Sequence, residues 1–415
     1  MVKQVGVDTE MVKVYIVTDN ASNIVAALEQ PPLSRLFARD VPTILRGEKP
    51  WIHLRCFDHT LQLAIGDARE EVGTHTVIEK VANIVKRYSY SNIARQNLEK
   101  HQKETNTVQH EIIRHVCTRW NSEYAMLERF LEQRIPITLE LTEAGKDVLS
   151  AQQWKLCEGY VEILKPIAQF TAEMGSSTKP TFSMMIPVLS EIKNCLEEFL
   201  RKASNRGSGI SFARALLNKI ILRFPDSDYA DSKMHQTATI LDPRFKALLF
   251  SEDVDAHGLL LVEAKRKYRE YIRRGKLSLP APAGANASQD DTAPKPAKQS
   301  KWSFLKKVSA KQSEGPDEIE SILQKEVQTY LELGTIDVEH DPALWWKTNR
   351  DTFPHLTPLA AEYLGIGATE VQSERDFSIG SNAVTPKRSC LLQDHVRQTV
   401  FLHRNLMIPD IKYKK

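Results

Sequence analysis

A β-branched run from Val12 to Thr18, closed by Asp19, most constrains the fold, because little else in the chain is built like it. Valine and isoleucine lose side-chain freedom in a helix and pack well on a pleated surface, so the run predicts a buried strand. Asn20 and Ser22 suit helix caps, Ile24, Val25, Ala27 and Leu28 fit a helix behind them, and Pro31 and Pro32 end it. Trp51 to Cys56 predicts a second strand, followed by a helix from about Asp58 through Ala68. This strand–helix–strand–helix rhythm makes residues 1–124 an α/β region.

From about Val77 the pattern turns helical. Ile78, Val81, Ile84 and Val85 share one face, as do Tyr124, Leu127 and Leu131. Met184 to Leu200 and Phe212 to Phe224 predict further helices, and residues 125–278 read as all-α. Residues 279–316 hold Pro280, Pro282, Pro294 and Pro296 among small and charged residues, which predicts a disordered linker or long loop. Trp302, Phe304 and Leu305 interrupt it with a short apolar patch, and helix resumes near Asp317. The closing region, 317–415, is dense in Trp345, Trp346, Phe353, Leu356, Leu359, Tyr363 and Leu364. Burying each is worth about 1.5–3 kcal/mol, more than one small helical hairpin needs. A subunit interface would use the surplus, and so would packing against the α/β core.

Composition narrows the class. A chain of 415 residues is long for one core and predicts two or three domains. A net charge of +3 permits nucleic-acid binding without arguing for it. Five widely spaced cysteines, an odd number, fit reduced thiols in the cytosol or nucleus. Met1 to Glu10 lacks the basic and apolar parts of a signal peptide, and no apolar run reaches the roughly 18 residues of a membrane span. The expectation is a soluble intracellular protein with no membrane partner and no small-molecule substrate.

Several motifs carry candidate chemistry, each with an ordinary alternative. Asp19 at a strand end is a common place for a metal-binding carboxylate, and equally for a helix cap. Thr369 and Gln372 have capping-box spacing, which starts a helix at about Glu370 and places Glu374 within it. His53, Cys56 and His59 offer three candidate metal ligands, but structural zinc needs four, and a strand and a helix would aim these differently. Arg119 beside Trp120 suits stacking on an unpaired base with phosphate contact; a core tryptophan is the plain reading. Lys265, Arg266, Lys267, Arg269, Arg273, Arg274 and Lys276 form a basic run, either an import or phosphate-binding signal or a solvated face shared with Glu263 and Glu270. Asp242-Pro243-Arg244-Phe245-Lys246 reads as a turn followed by a helix.

Taken in order, Thr18-Asp19-Asn20-Ala21-Ser22-Asn23, Cys56-Phe57-Asp58-His59, Thr118-Arg119-Trp120 and Ser373-Glu374-Arg375-Asp376-Phe377-Ser378 resemble the catalytic core of the hAT superfamily of DNA transposases. They also resemble the zinc-finger BED-domain-containing proteins derived from it. Lys387-Arg388, Leu391 and Phe401 to Leu406 continue the match. The resemblance implies an incomplete RNase H-like domain, interrupted by a large all-α insertion. A C-terminal hAT dimerisation region would then carry the last RNase H-like helix. It makes Asp19 and Glu374 the second and third catalytic carboxylates, weak Mg²⁺ ligands between them. The first aspartate falls upstream of Met1, so the chain reads as N-terminally truncated, with no BED finger. Asp8 is not a convincing substitute. The resemblance further implies DNA contacts by His59, Arg119 and Trp120, and dimerisation through the seven apolar anchors named above together with Phe377.

The expected function is a transposase-derived nuclear protein that self-associates as a homodimer or larger, binds DNA and does not cut it. It requires no cofactor; Mg²⁺ enters only if a full-length form is active. Two alternatives stand beside it: a fragment of an active transposase using two-metal phosphodiester chemistry, and a helical protein-interaction scaffold.

Overall fold

A computed structural model describes residues 14–19, 51–116, 119–176, 178–202, 209–251, 253–273, 316–371, 375, 379 and 393–406. The expected helix after Asn20, the Trp302 patch, Arg274, Lys276, Glu374 and Phe377 lie outside the described residues. The described chain is mostly helical, with two strands. It divides into two compact units, residues 1–235 with 366–415 and residues 236–365. No helix among the described residues is long and apolar enough to cross a membrane.

In the first unit, β1 (Val14–Thr18) pairs in parallel with β2 (Trp51–Arg55), Val14 opposite Trp51 and Thr18 opposite Arg55. The ladder extends one bond further, from Cys56 N–H to Thr18 O at 2.8 Å. Helices α1 (Phe57–Glu71), α2 (His75–Tyr90) and α3 (Asn92–Glu104) follow. Farther along come α4 (Trp120–Glu132), α5 (Arg134–Glu143) and α6 (Ala151–Met174). A 3₁₀ turn (Phe182–Met184) leads into α7 (Met185–Arg201) and α8 (Ile210–Arg223). The helices expected at about Asp58–Ala68, Met184–Leu200 and Phe212–Phe224 are α1, α7 and α8, within a few residues, while α3, α5 and α6 were expected only as parts of a helical stretch.

α8 lies along α1, and Phe57 meets Phe224 with ring centroids 5.3 Å apart. Its start needs a glycine: Gly209 has φ +90°, and a Cβ there would sit 3.2 Å from Gly159 Cα on α6. Two carboxylates inside the helical layer are paired. Glu123, 2% exposed, accepts from Arg69 at 2.6 Å and from the Tyr160 hydroxyl at 2.6 Å. Glu140 accepts from Arg87 and from the Tyr88 hydroxyl. A cation and a neutral donor on each carboxylate offset the cost of its burial.

The second unit contains α10 (Ala256–Arg273), α11 (Pro316–Glu332), α12 (Pro342–Thr348) and α13 (Leu356–Leu364); α9 (Lys233–Ile240) runs into its start. The Asp242–Lys246 motif is its hub, a series of turns with no helix directly behind it. Asp242, fully buried, holds Arg244 through Nε at 2.9 Å and a terminal nitrogen at 2.7 Å. Lys246 reaches the last carbonyls of α11, donating to Tyr330 O at 2.6 Å and Leu333 O at 2.5 Å, and so satisfies a helix end. The Tyr330 hydroxyl and the Trp346 indole return bonds to Ile240 O and Leu241 O, each 2.8 Å.

This packing corrects the expectation for the aromatic-rich block. Trp346, Phe353, Leu356, Leu359, Tyr363 and Leu364 are buried within the unit. Trp346 and Phe353 ring Tyr330 at 5.0 and 5.8 Å, and half-buried Trp345 stacks on Phe353 at 5.8 Å. The apolar surplus fills the unit's own core, with Trp345 left half-buried at its edge. Three residues of the basic run on α10 are paired: Lys265 with Glu320, Arg266 with Glu263 and Glu362, and Lys267 with Glu362, while Arg269 is exposed. Helix α14 (Gln393–Leu406) belongs to the first unit, as do residues 366–371. The segment expected as one region, 317–415, therefore divides between the units.

Candidate functional site at the strand ends

Parallel pairing brings the carboxyl ends of β1 and β2 to one edge, the place where open α/β sheets hold ligands. Thr18 and Asp19 leave one strand there, and Arg55 and Cys56 leave the other. Thr18 Oγ1 meets His53 Nε2 at 2.8 Å. Cys56 then caps α1, whose first turn carries Asp58 and half-buried His59.

Residues 366–371 are sewn onto this edge from far along the chain. Phe57 N–H donates to Ala368 O at 2.9 Å, and Ala368 N–H donates to Thr181 Oγ1 at 3.0 Å. Glu370 N–H points at Cys56 Sγ, 3.5 Å away, while the Glu370 carboxylate accepts from Asp19 N–H at 2.9 Å. An amide donating to a carboxylate is among the stronger neutral–charged bonds, so the corner is held firmly. Val371, Arg375 and Ile379 are helical and spaced by four, which places them on one face. The structure thus brings Asp19 beside the stretch that leads to Glu374.

Burial pushes the Cys56 thiol up to about 11, with the Glu370 amide pulling the other way, so the sulfur stays protonated near neutral pH. A protonated sulfur is a poor zinc ligand. Among the described residues no three His, Cys, Asp or Glu side chains gather closely enough to hold a metal ion.

Arg119 is exposed and precedes α4, whose first amide, Trp120 N–H, donates to Gln62 Oε1 on α1 at 2.8 Å. The pair therefore adjoins the helix that carries His59. The Trp120 ring is only 4% exposed, which corrects the expectation that it stacks on a base: it anchors the helical core. Glu370 and Thr181 were not legible as site residues, and His53 was read only as a metal-ligand candidate, not as the partner of Thr18. Glu370 reads as a helix start, and nothing in sequence ties it to a strand 351 residues away.

Comparison with known proteins follows the same geography. Residues 54–163 match the ZBED1 RNase-like helical domain, and residues 326–406 match the hAT family C-terminal dimerisation region. The chain is 27% identical over 379 residues to Zinc finger BED domain-containing protein 4 of Homo sapiens, covering 89% of this chain and 30% of that relative. It is 25% identical over 419 residues to Zinc finger BED domain-containing protein 6 of Mus musculus, covering 94% and 40%. It is 24% identical over 369 residues to Putative AC transposase of Zea mays, covering 85% and 44%. The chain spans less than half the length of each of these relatives.

Proposed function

Because the chain belongs to the hAT superfamily of transposases and the BED-type zinc-finger proteins derived from it, we propose that it is a nuclear protein that self-associates and holds DNA without cutting it. The observation that carries self-association is the match of residues 326–406 to a dimerisation region. With most of the aromatic anchors buried, exposed apolar side chains remain in that stretch for such a contact: Leu333, Val338 and Leu344 on the second unit and, separately, Phe401 and Leu402 on the first.

The DNA reading has the strand-end edge as its centre, with Arg55, Arg119 and Arg375 exposed on the same unit to meet phosphates. The two strands, α1 and the residue-371 helix correspond in this reading to the later half of an RNase H-like core, and the helices between to its insertion. The family resemblance carries two catalytic carboxylates onto this chain, Asp19 and Glu374.

A second reading, a portion of an active transposase, is favoured by one observation: the Asp19–Glu370 bond brings the stretch before Glu374 to the strand end. Incubation of the full chain with flap or nicked duplex DNA and Mg²⁺ or Mn²⁺ separates the two. The proposed function expects a mobility shift with intact strands. Cleavage that disappears in Asp19→Ala and Glu374→Ala would establish the second reading, and no shift at all would remove DNA binding.

A further inference from the structure

We propose that a cavity beside β2 receives a single unstacked nucleobase. The cavity, about 180 Å³, is lined by His53, Arg55, Phe182, Tyr229, His235 and Ala368 among others. An engineered cavity of ~150 Å³ accepts a benzene ring, so this one has room for one heteroaromatic ring with its substituents.

The walls have the matching chemistry. The His235 ring lies 4.6 Å from Phe182 and 5.2 Å from Tyr229, which makes a continuous aromatic surface. Such surfaces take bases of any identity through their π-faces. Two polar atoms in this wall are open. Tyr229 is 5% exposed and its hydroxyl has no hydrogen bond among the described residues. His235 is 7% exposed; its Nδ1 meets Ser232 Oγ at 3.0 Å, and its Nε2 has no partner among the described residues. A plain hydrocarbon ring would leave both unmatched, whereas the edge of a base carries donors and acceptors for them. Burial brings His235 down to about 4, so near neutral pH its nitrogen meets a ligand as a neutral hydrogen-bonding group.

Charge selects further. Exposed Arg55 at the cavity suits the phosphate attached to a base, and Asp228 in the same lining suits an exocyclic amino group. Ala368 joins the cavity to the strand-end corner, since its carbonyl accepts from Phe57 N–H. A base seated here would leave its backbone beside the edge where Asp19 and Glu370 meet.

The inference rests on the DNA-binding part of the proposed function. The same chemistry could come from a base drawn out of a strand or from a free nucleotide. The full chain is therefore titrated, by fluorescence anisotropy, with a short single-stranded oligonucleotide and with its fully abasic counterpart. In parallel, calorimetry compares the four deoxynucleoside monophosphates with deoxyribose 5-phosphate. Base stacking is worth about 1–3 kcal/mol, so the intact strand should bind at least about fivefold tighter than the abasic one. Tyr229→Phe and Arg55→Gln should each weaken the intact ligand several-fold with melting temperature unchanged. Monophosphate binding without strand binding would assign the pocket to free nucleotides. Equal binding of intact and abasic strands, or no effect of either variant, would overturn the pocket while leaving DNA binding in place. Failure of every ligand would remove both.

Discussion

The backbone amide of Asp19 donates to the carboxylate of Glu370 at 2.9 Å, joining residues 351 positions apart. With the Phe57–Ala368 and Ala368–Thr181 bonds it fixes residues 366–371 to the strand ends. The consequence is that residues 366–371 of the first unit meet the end of β1, although a second compact unit lies between them in sequence.

Removing that carboxylate should loosen the corner. Hydrogen bonds to charged groups contribute about 1.5–3 kcal/mol, so Glu370→Ala should lower the stability of the first unit by about 1–2 kcal/mol in urea unfolding, this pair being part-buried. Glu370→Gln keeps an acceptor oxygen and should lose less. An unchanged midpoint in both would show that the bond contributes nothing.

The Arg69–Glu123–Tyr160 group predicts strong non-additivity. Arg69→Met strands a carboxylate that is 2% exposed and should cost about 3 kcal/mol or more. Adding Glu123→Leu should recover much of that loss, because the buried charge goes with its partner. Denaturant midpoints of the two singles and the double variant give the coupling directly.

Acidification should destabilise the first unit through His235. Its folded value is depressed to about 4 against an ordinary value of 6.5, so between these pH values the unfolded chain binds a proton that the folded chain refuses. Stability is therefore full above about pH 6.5 and is lost as pH falls toward 4, by an amount on the order of 3 kcal/mol. His235→Gln should flatten that window. Urea midpoints at several pH values test it, and an identical slope in the variant would exclude His235 as the cause.

Trp346→Ala should cost about 3–5 kcal/mol, because it empties a core position beside Tyr330 and removes the indole bond to Leu241 O. Thermal unfolding should shift with it. A large loss of self-association with unchanged melting would instead return Trp346 to an interface.

The sequence carried the local structure well and the long-range structure poorly. Val12–Thr18 and Trp51–Cys56 announced their strands through β-branched and aromatic content, and α7, α8 and α11 through 3.6-residue periodicity. Burial was where reading failed. Trp120, Trp346 and Phe353 could have been exposed contacts or core, and only packing separates those, since a large aromatic serves both. The Asp242–Lys246 motif gave no sign of its role, because Lys246 acts on carbonyls of a helix more than 80 residues onward. Glu370 was invisible for the same reason: its partner is remote, and local capping logic already accounted for it.

Self-association is the property on which the proposed function rests. Size-exclusion chromatography with multi-angle light scattering on the full chain at micromolar concentration tests it most directly. A mass at least twice that of the 47.2 kDa chain is expected. A single species at the mass of one chain, unchanged on concentration, would contradict it.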